Sequence, residues 1–453
     1  MTKRLIVLML CSCMAATMSF SQETGGTCGV DGDNLTWKFD SEASTLTISG
    51  TGAMADYDHL SELGYFRAPW FSIKDMIVLV KIEDGVTNIG GWAFSDCGSL
   101  SVIDIPNSVT SIDDNAFRYC SSLASINIPN SVKKIGYQCF LGCTRLTTVN
   151  IPNGVTTIMS WAFRDCSGLI SIIIPDSVMF IGNDVFYGCA NLSAINVTLG
   201  NRNYASQNGV LFNKDMTTLI RYPAKKQASS YIIPNGVKSI ENSVFWDCTN
   251  LTSVTIPDGV TSIGASTFNG CYNLTSIDIP NSVVHIGDAA FVNCYALTTL
   301  VLGDKVARIE SSAFQSCSNL EHIYVRNPIP PVINASVFQY VNKSTCTLHI
   351  PVGSTLRYEV TEWSRFYNIE EGLSISTESA ELEVVLSVYP NPVLESFSIN
   401  GIDEETPITL LDMNGAIVLQ SIVLPDEPLS VSHLQKGTYI LRVGSQVLKV
   451  IKL

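Results

Sequence analysis

The residues of this chain with the most chemistry to offer are nine cysteines at a fixed interval. Cys97, Cys120, Cys143, Cys166 and Cys189 lie 23 residues apart, as do Cys248, Cys271, Cys294 and Cys317. Thiols could cross-link, ligate a soft metal or act as nucleophiles, and each role needs a partner group. Neighbours about 5 Å apart could satisfy disulfide geometry. An odd-membered series at one position of a repeat is nevertheless what a site specified by small size gives, so free buried thiols are expected. Cys139 takes an alanine place before Phe140, Cys28 and Cys346 lie far apart in the chain, and Cys11 and Cys13 fall in an N-terminal leader. No pair or metal cluster follows from these positions.

Other chemistry is no better supplied. His59, His285, His322, His349 and His433 are scattered, with no metalloprotease motif, nucleophile elbow or glycine-rich phosphate loop. Asp104, Asn127, Asn150, Asn196 and Asp278 share one outward position and could bind Ca²⁺. Ile173, Ile232, Thr255, Val301 and Tyr324 interrupt that row, whereas an oxygen cage needs six or more ligands, so a solvated face is expected. Neither catalytic residues nor a cofactor or metal site are expected. What remains is aromatic: Tyr272 and Tyr295 follow the Cys of adjacent repeats and Trp246 precedes one, a candidate partner-binding patch.

The elements that must position these residues come from an internal repeat. Pro106, Pro129, Pro152 and Pro175 have the same 23-residue spacing, as do Pro234, Pro257 and Pro280. Each unit reads L-x-x-I-x-I-P-N-S/G-V-x-x-I-x-x-x-A-F-x-x-C-x-x. Leu100, Ile103 and Ile105 suit a short strand with Asp104 on its outer face. Proline then ends the ladder and is read as the first central residue of a type I turn, and the A-F-x-x-C stretch as a helical or 3₁₀ return. One unit is one coil of a solenoid, with about ten coils between Ile77 and Ile350.

A lone coil cannot fold. Seven buried apolar side chains give roughly 10–20 kcal/mol of gross burial, against about 35 kcal/mol for ordering 23 residues. Stacking must supply the rest, through strand pairing and side chains that cover the next coil's. The period breaks once: Leu192 and Leu251 are 59 residues apart, one period plus 36, so a 13-residue insertion sits around Gly209 to Lys225. Its apolar runs flanking Asn213-Lys214-Asp215 read as a hairpin, within a span of about 198–227.

At the N-terminus, Lys3 and Arg4 precede an apolar run from Leu5 to Met18, and Ser19-Phe20-Ser21 offers a cleavage site, the layout of a secretory signal peptide over residues 1–21. A lipoprotein attached at Cys13 would leave an apolar core of only about six residues. No other run reaches the ~20 residues of a membrane span. An acidic, Ser-rich linker over about 372–385 leads to residues 386–453. There VYPNP, a turn at Asn414-Gly415 and the strands LQKGTYILRV and LKVIKL suggest a small β-sandwich.

The repeat motif, carried by its Leu, Ile-Pro, Val, Ile, Ala-Phe and Cys positions over about Cys28 to Glu371, resembles the BspA-like leucine-rich repeats of bacterial surface proteins. On that resemblance residues 22–76 form an N-terminal β cap, 77–350 the leucine-rich repeat solenoid and 351–371 a closing cap. The usual asparagine after the strand is missing, its place held by Ser108, Ser131, Gly154 or Ser177. The tail resembles the type A C-terminal sorting domain of the type IX secretion system. This likeness rests on Pro390, Asn391, Pro392, Asp412, Gly415, Gly437, Tyr439, Lys449 and Lys452, and implies carriage across the outer membrane by that machinery and attachment at the surface.

Net charge is −14 with only 15% charged residues, below the roughly 25% usual for globular chains. Nucleic acid and anionic membranes are poor partners for want of a basic patch, and no nucleic acid is expected. A surface interaction protein is therefore expected. The BspA resemblance implies adhesion to host extracellular-matrix proteins or other microbial cells. The alternatives are a structural surface-layer component and a carbohydrate-processing enzyme.

Overall fold

The computed structural model describes residues 24–58 and 67–373 and, in the tail, 387–389, 391–400, 402, 405–412, 416–424, 427–443 and 446–453. The leader with its cleavage site, Cys11, Cys13, His59 and most of the linker lie outside the described residues. The chain divides into two compact units between Ser374 and Ile375.

Each coil of the first unit begins with the strand the spacing predicts. In Val102–Asp104, Ile103 is buried between two exposed residues. This strand pairs in parallel with Leu79–Ile82, and Ser125–Asn127 pairs likewise with Thr148–Asn150. Partners are one repeat apart, so equivalent residues form columns along the stack. From Leu79–Ile82 to Thr347–Pro351 twelve such strands follow one another along this face, in several hydrogen-bonded groups. That exceeds the ten or so coils read from the motif because the end coils lack its proline: Val86 follows Ile82-Glu83-Asp84-Gly85 and Val332 follows Pro330-Pro331.

The proline corner differs from the sequence reading. The turn is closed by the Val109 N–H donating to the Pro106 carbonyl at 3.2 Å, and the same bond recurs from Val132 to Pro129 and from Val283 to Pro280. Proline is therefore the first residue of the turn, and Asn107 and Ser108 are its central pair. Its part is to end the ladder, having no N–H to give. Beyond the corner the V-x-x-I stretch makes a second parallel sheet, which the single-strand reading did not include. Ser111–Ile112 pairs with Asn88–Ile89 on one side and Lys134–Ile135 on the other.

The return stretch alternates two kinds of bond. Asn115, Phe117 and Tyr119 donate to carbonyls of the next coil, those of Tyr137, Cys139 and Leu141, at 2.8, 2.9 and 2.7 Å. Ala116, Arg118 and Cys120 donate three residues back within their own coil, at 3.3, 3.2 and 3.1 Å. Asn115 and Tyr119 have φ of 60° and 56°. A left-handed residue every fourth position stops a 3₁₀ turn from propagating, so the stretch is a series of single turns stitched to the neighbouring coil.

The phenylalanines stack into a column on each side of the period break, one from Phe94 to Phe186 and one from Phe245 to Phe338. Phe94, Phe117, Phe140 and Phe163 are separated by 5.6, 5.4 and 5.3 Å between ring centres, and Phe245, Phe268 and Phe291 by 4.8 Å each. Trp70 caps the first at 5.5 Å from Phe94, while Trp363 and Phe366 close the other against Phe338. The thiols form columns of their own. Cys120, Cys143 and Cys166 each donate Sγ–H at 3.1 Å to the carbonyl of the preceding coil's Phe94, Phe117 or Phe140. Hence the position asks for a weak donor as well as a small side chain.

Where the period breaks, Tyr204–Gln207, Val210–Asn213 and Thr218–Arg221 form an antiparallel meander. The last of these strands joins the second sheet beside Ser239–Ile240. The buried core is split here, one cluster running from Cys28 to Leu211 and another from Val210 to Phe366. The tail unit has a three-stranded and a four-stranded sheet around Val393, Phe397, Leu410, Leu441 and Val450.

Two outcomes follow. Phe268→Ala removes a ring stacked on both sides and should cost about 3–5 kcal/mol. Faster hydrogen exchange should centre on the adjoining coils of Leu251 to Leu297, and unchanged exchange there would refute the stacking argument. Burial pushes the Cys143 thiol up to about 12, whereas an unfolded thiol titrates near about 8.5. The neutral buried thiol therefore contributes stability below pH ~8.5 that is lost as pH rises towards 12. Alkylation at pH 8 should leave the nine repeat thiols unmodified in the native protein and label all nine after unfolding, as read by mass spectrometry.

Candidate interaction surface

The stitched turns form a lateral face whose side chains are set by the left-handed positions. Most coils place Asn, Asp, Ser or Gly there, residues that tolerate φ near +60°. Trp92, Tyr119 and Trp161 take the same conformation at φ of 60°, 56° and 61°. Such bulky residues carry a backbone cost of about 1–2 kcal/mol, so something other than the turn selects them.

What they share is arginine. The Arg118 guanidinium lies 5.2 Å from the Trp92 ring centre and 4.9 Å from that of Tyr119. Arg164 lies 4.8 Å from Trp161 and 4.7 Å from Tyr187. Tyr137 adds a ring 5.4 Å from Trp161. Gly142, at φ 72°, makes room for the row, because a Cβ there would lie 2.2 Å from the Tyr119 ring. Tyr119 is 44% exposed and the other members are half-buried. Flexible arginines are thus held between rings, with much of their ordering cost met before any partner arrives.

Of the three residues singled out in the sequence, two meet. Tyr272 and Tyr295 stack at 5.5 Å with 12° between their planes. Tyr295 Oη donates to Asn293 Oδ1 at 3.1 Å. Trp246 instead packs against Tyr187, its equivalent in the coil before the insertion, with ring centres 4.1 Å apart and planes tilted by 30°. Asp247 lies near both groups: burial first, and then the Asp247 charge, raise the Tyr272 hydroxyl pKa, and burial raises that of Tyr187, opposed by Arg164 and reinforced by Asp165 and Asp247. Burial in turn raises the pKa of Asp247, an effect Arg221 opposes. The arginine–aromatic part of this face was missed in the sequence, although Trp92 and Trp161, and Arg118 and Arg164, stand at equivalent repeat positions.

Among the described residues, no group of three or more His, Cys, Asp or Glu side chains converges as a metal site. The outward polar column remains a sheet face, with Asp278 paired to Arg326 at 3.3 Å. The histidines are less scattered than they read: His322 Nδ1 and His349 Nε2 are 3.1 Å apart on neighbouring strands. His285 meets Glu310 at 3.1 Å.

In the tail, Pro390 and Gly415 lie outside the described residues. Asn391 Oδ1 accepts the Ile451 N–H at 2.9 Å, and Val393, just after Pro392, bridges to Lys452. Gly437 and Tyr439 pair with Lys452 and Val450 across the strands Gly437–Val443 and Gln446–Lys452, the latter containing Lys449. Tyr439 Oη donates to the Gln435 carbonyl at 2.8 Å. Asp412 Oδ1 accepts the Ala416 N–H at 2.9 Å and closes its hairpin separately.

Residues 387–453 match the family described as secretion system C-terminal sorting domain. Among solved structures the chain is similar to a leucine-rich repeat protein from Eubacterium ventriosum. That likeness has 25% identity and a TM-score of 0.51, and covers 70% of this chain and 92% of that one. It is also similar to the pneumococcal vaccine antigen PcpA, at 19% identity and a TM-score of 0.54 over 76% of this chain and 98% of that one, a likeness of fold alone. A search of curated proteins finds no match. Residues 69–198 and 223–345 match the BspA type leucine rich repeat region in six copies, the gap between them spanning the meander; with more than half its length so matched, the chain belongs to the BspA-type leucine-rich repeat family.

Proposed function

We propose that this protein is a non-enzymatic adhesin, held at the cell surface by its sorting tail and binding host extracellular-matrix proteins or other microbial cells through its turn face. The observation that carries this reading is the row of Trp92, Arg118, Tyr119, Trp161 and Arg164, in which bulky residues occupy left-handed positions that cheaper residues fill elsewhere. Strain of this kind, kept where folding does not need it, points to selection for the surface. Aromatic rings and arginine are also the groups that dominate binding energy at protein interfaces. Trp246, Tyr272 and Tyr295 extend the same face. No helix among the described residues is long and apolar enough to cross a membrane; the sorting tail over residues 387–453 supports the display. The leader, cleaved near Ser21, supplies entry to the periplasm.

A variant with Trp246, Tyr272 and Tyr295 all replaced by Ser, and a second with Trp161→Asn and Arg164→Ser, should each bind immobilised matrix protein or partner cells at least tenfold more weakly. Melting temperatures should move by no more than about 2 °C, since these residues lie outside the core. Unchanged binding by both variants would move the interface elsewhere. A wild-type protein that binds neither matrix protein nor cells would favour a structural surface-layer role.

Removing residues 386–453 should leave a folded solenoid that accumulates in the periplasm. Protease accessibility on intact cells is the readout, and a truncated protein displayed as well as the whole one would deny the tail its sorting role.

A further inference from the structure

On the outward face of the first sheet, near its C-terminal end, two histidines converge. His322 lies on the strand His322–Val325 and His349 on the next, Thr347–Pro351, where the register sets Tyr324 opposite His349 and His322 opposite Thr347. The two imidazoles therefore meet diagonally, Nδ1 of His322 standing 3.1 Å from Nε2 of His349. The other His349 nitrogen, Nδ1, is 3.4 Å from Glu370 Oε2, on the following strand Asn368–Leu373. The Tyr324 ring stacks on His349 at 4.3 Å with 9° between planes and fixes its orientation.

We propose that His322 and His349 form a chelating site for a divalent transition ion of the zinc or copper class. Two nitrogens 3.1 Å apart, each about 2.05 Å from a common ion, subtend about 100° at it, between the right angle of a square or octahedral edge and the tetrahedral value. The Glu370 carboxylate, 3.4 Å from His349 Nδ1, favours the tautomer that keeps the proton on that nitrogen and so leaves the lone pair on Nε2, the atom that faces His322. This is the carboxylate–histidine–metal arrangement that fixes a ligand's tautomer and raises its basicity. Imidazole without thiolate suits zinc, copper and nickel better than calcium or magnesium. With only two protein ligands on a solvent-facing sheet, the remaining positions are open to water or to a side chain from a binding partner. The site lies on a different face of the coil from the arginine–aromatic row, so the two do not depend on each other.

The test is a calorimetric titration of the whole mature protein, stripped with chelator and dialysed, using Zn²⁺ alone. One site per chain is expected. His322→Ala and His349→Ala should each weaken it at least tenfold, and Glu370→Gln by about 10–100-fold with the stoichiometry kept. Cu²⁺ electron paramagnetic resonance should show two coordinated nitrogens in the wild type and one in either alanine variant. These side chains lie outside the buried core, so circular dichroism and thermal melts of the variants should match the wild type. A wild type that binds no Zn²⁺, or a His322→Ala/His349→Ala double variant that binds it as tightly, would overturn the site and leave a hydrogen bond between neutral imidazoles.

Discussion

The rest of this structure depends on hydrogen bonds between backbones one repeat apart. They run through three sides of every coil: the strand that ends at the proline, the short strand after the corner, and the stitched turns. The bond from the Phe117 N–H to the Cys139 carbonyl and that from the Lys133 N–H to the Thr110 carbonyl can both be satisfied only if the chain between them has the same length in each coil. The 23-residue period is thus a condition of closing all three ladders at once, since an unpaired buried N–H or carbonyl would cost about 1–3 kcal/mol. Side-chain columns follow from it. Phenylalanine meets phenylalanine and thiol meets carbonyl because the backbone has already placed equivalent residues in line.

Much of this was legible in the sequence because the repeat turns a three-dimensional contact into a one-dimensional spacing. Ile103, Phe117 and Cys120 could be assigned to the interior from their recurrence alone, and the antiparallel pairing around Asn213-Lys214-Asp215 from apolar runs about a turn. Less visible were features that depend on backbone conformation. The second sheet rests on only two residues per coil, too few for alternation to register. The role of Pro106 as turn acceptor required knowing which carbonyl the Val109 N–H meets. The left-handed pair in each coil is spread over Asn, Asp, Ser, Gly, Gln, Ala, Tyr and Trp, with no common residue type to betray it.

The candidate surfaces show the same division. Tyr272 and Tyr295 were found because they occupy one position in adjacent repeats. Arg118 and Trp92 stand on successive coils at different positions, and only the turn geometry brings them into contact. His322 and His349 are 27 residues apart, off the period, because the last coil carries two extra residues and the pair meets diagonally, two residues out of register. A pattern search keyed to the period passes over such a pair, whereas the strand register brings it together.

The sameness of the coils has a consequence for the protein's history. Segments such as Ile105–Val109, Ile128–Val132 and Ile279–Val283 are identical in sequence, so unequal recombination within the gene can delete or duplicate a whole coil in frame. Every ladder and column closes again after such an event, and the stack shortens or lengthens by about 4.8 Å. The length of the stack is therefore adjustable in single steps without redesign of the core. The meander at Tyr204–Arg221 has no second copy to recombine with, which makes it a fixed landmark about which the number of coils on either side can drift.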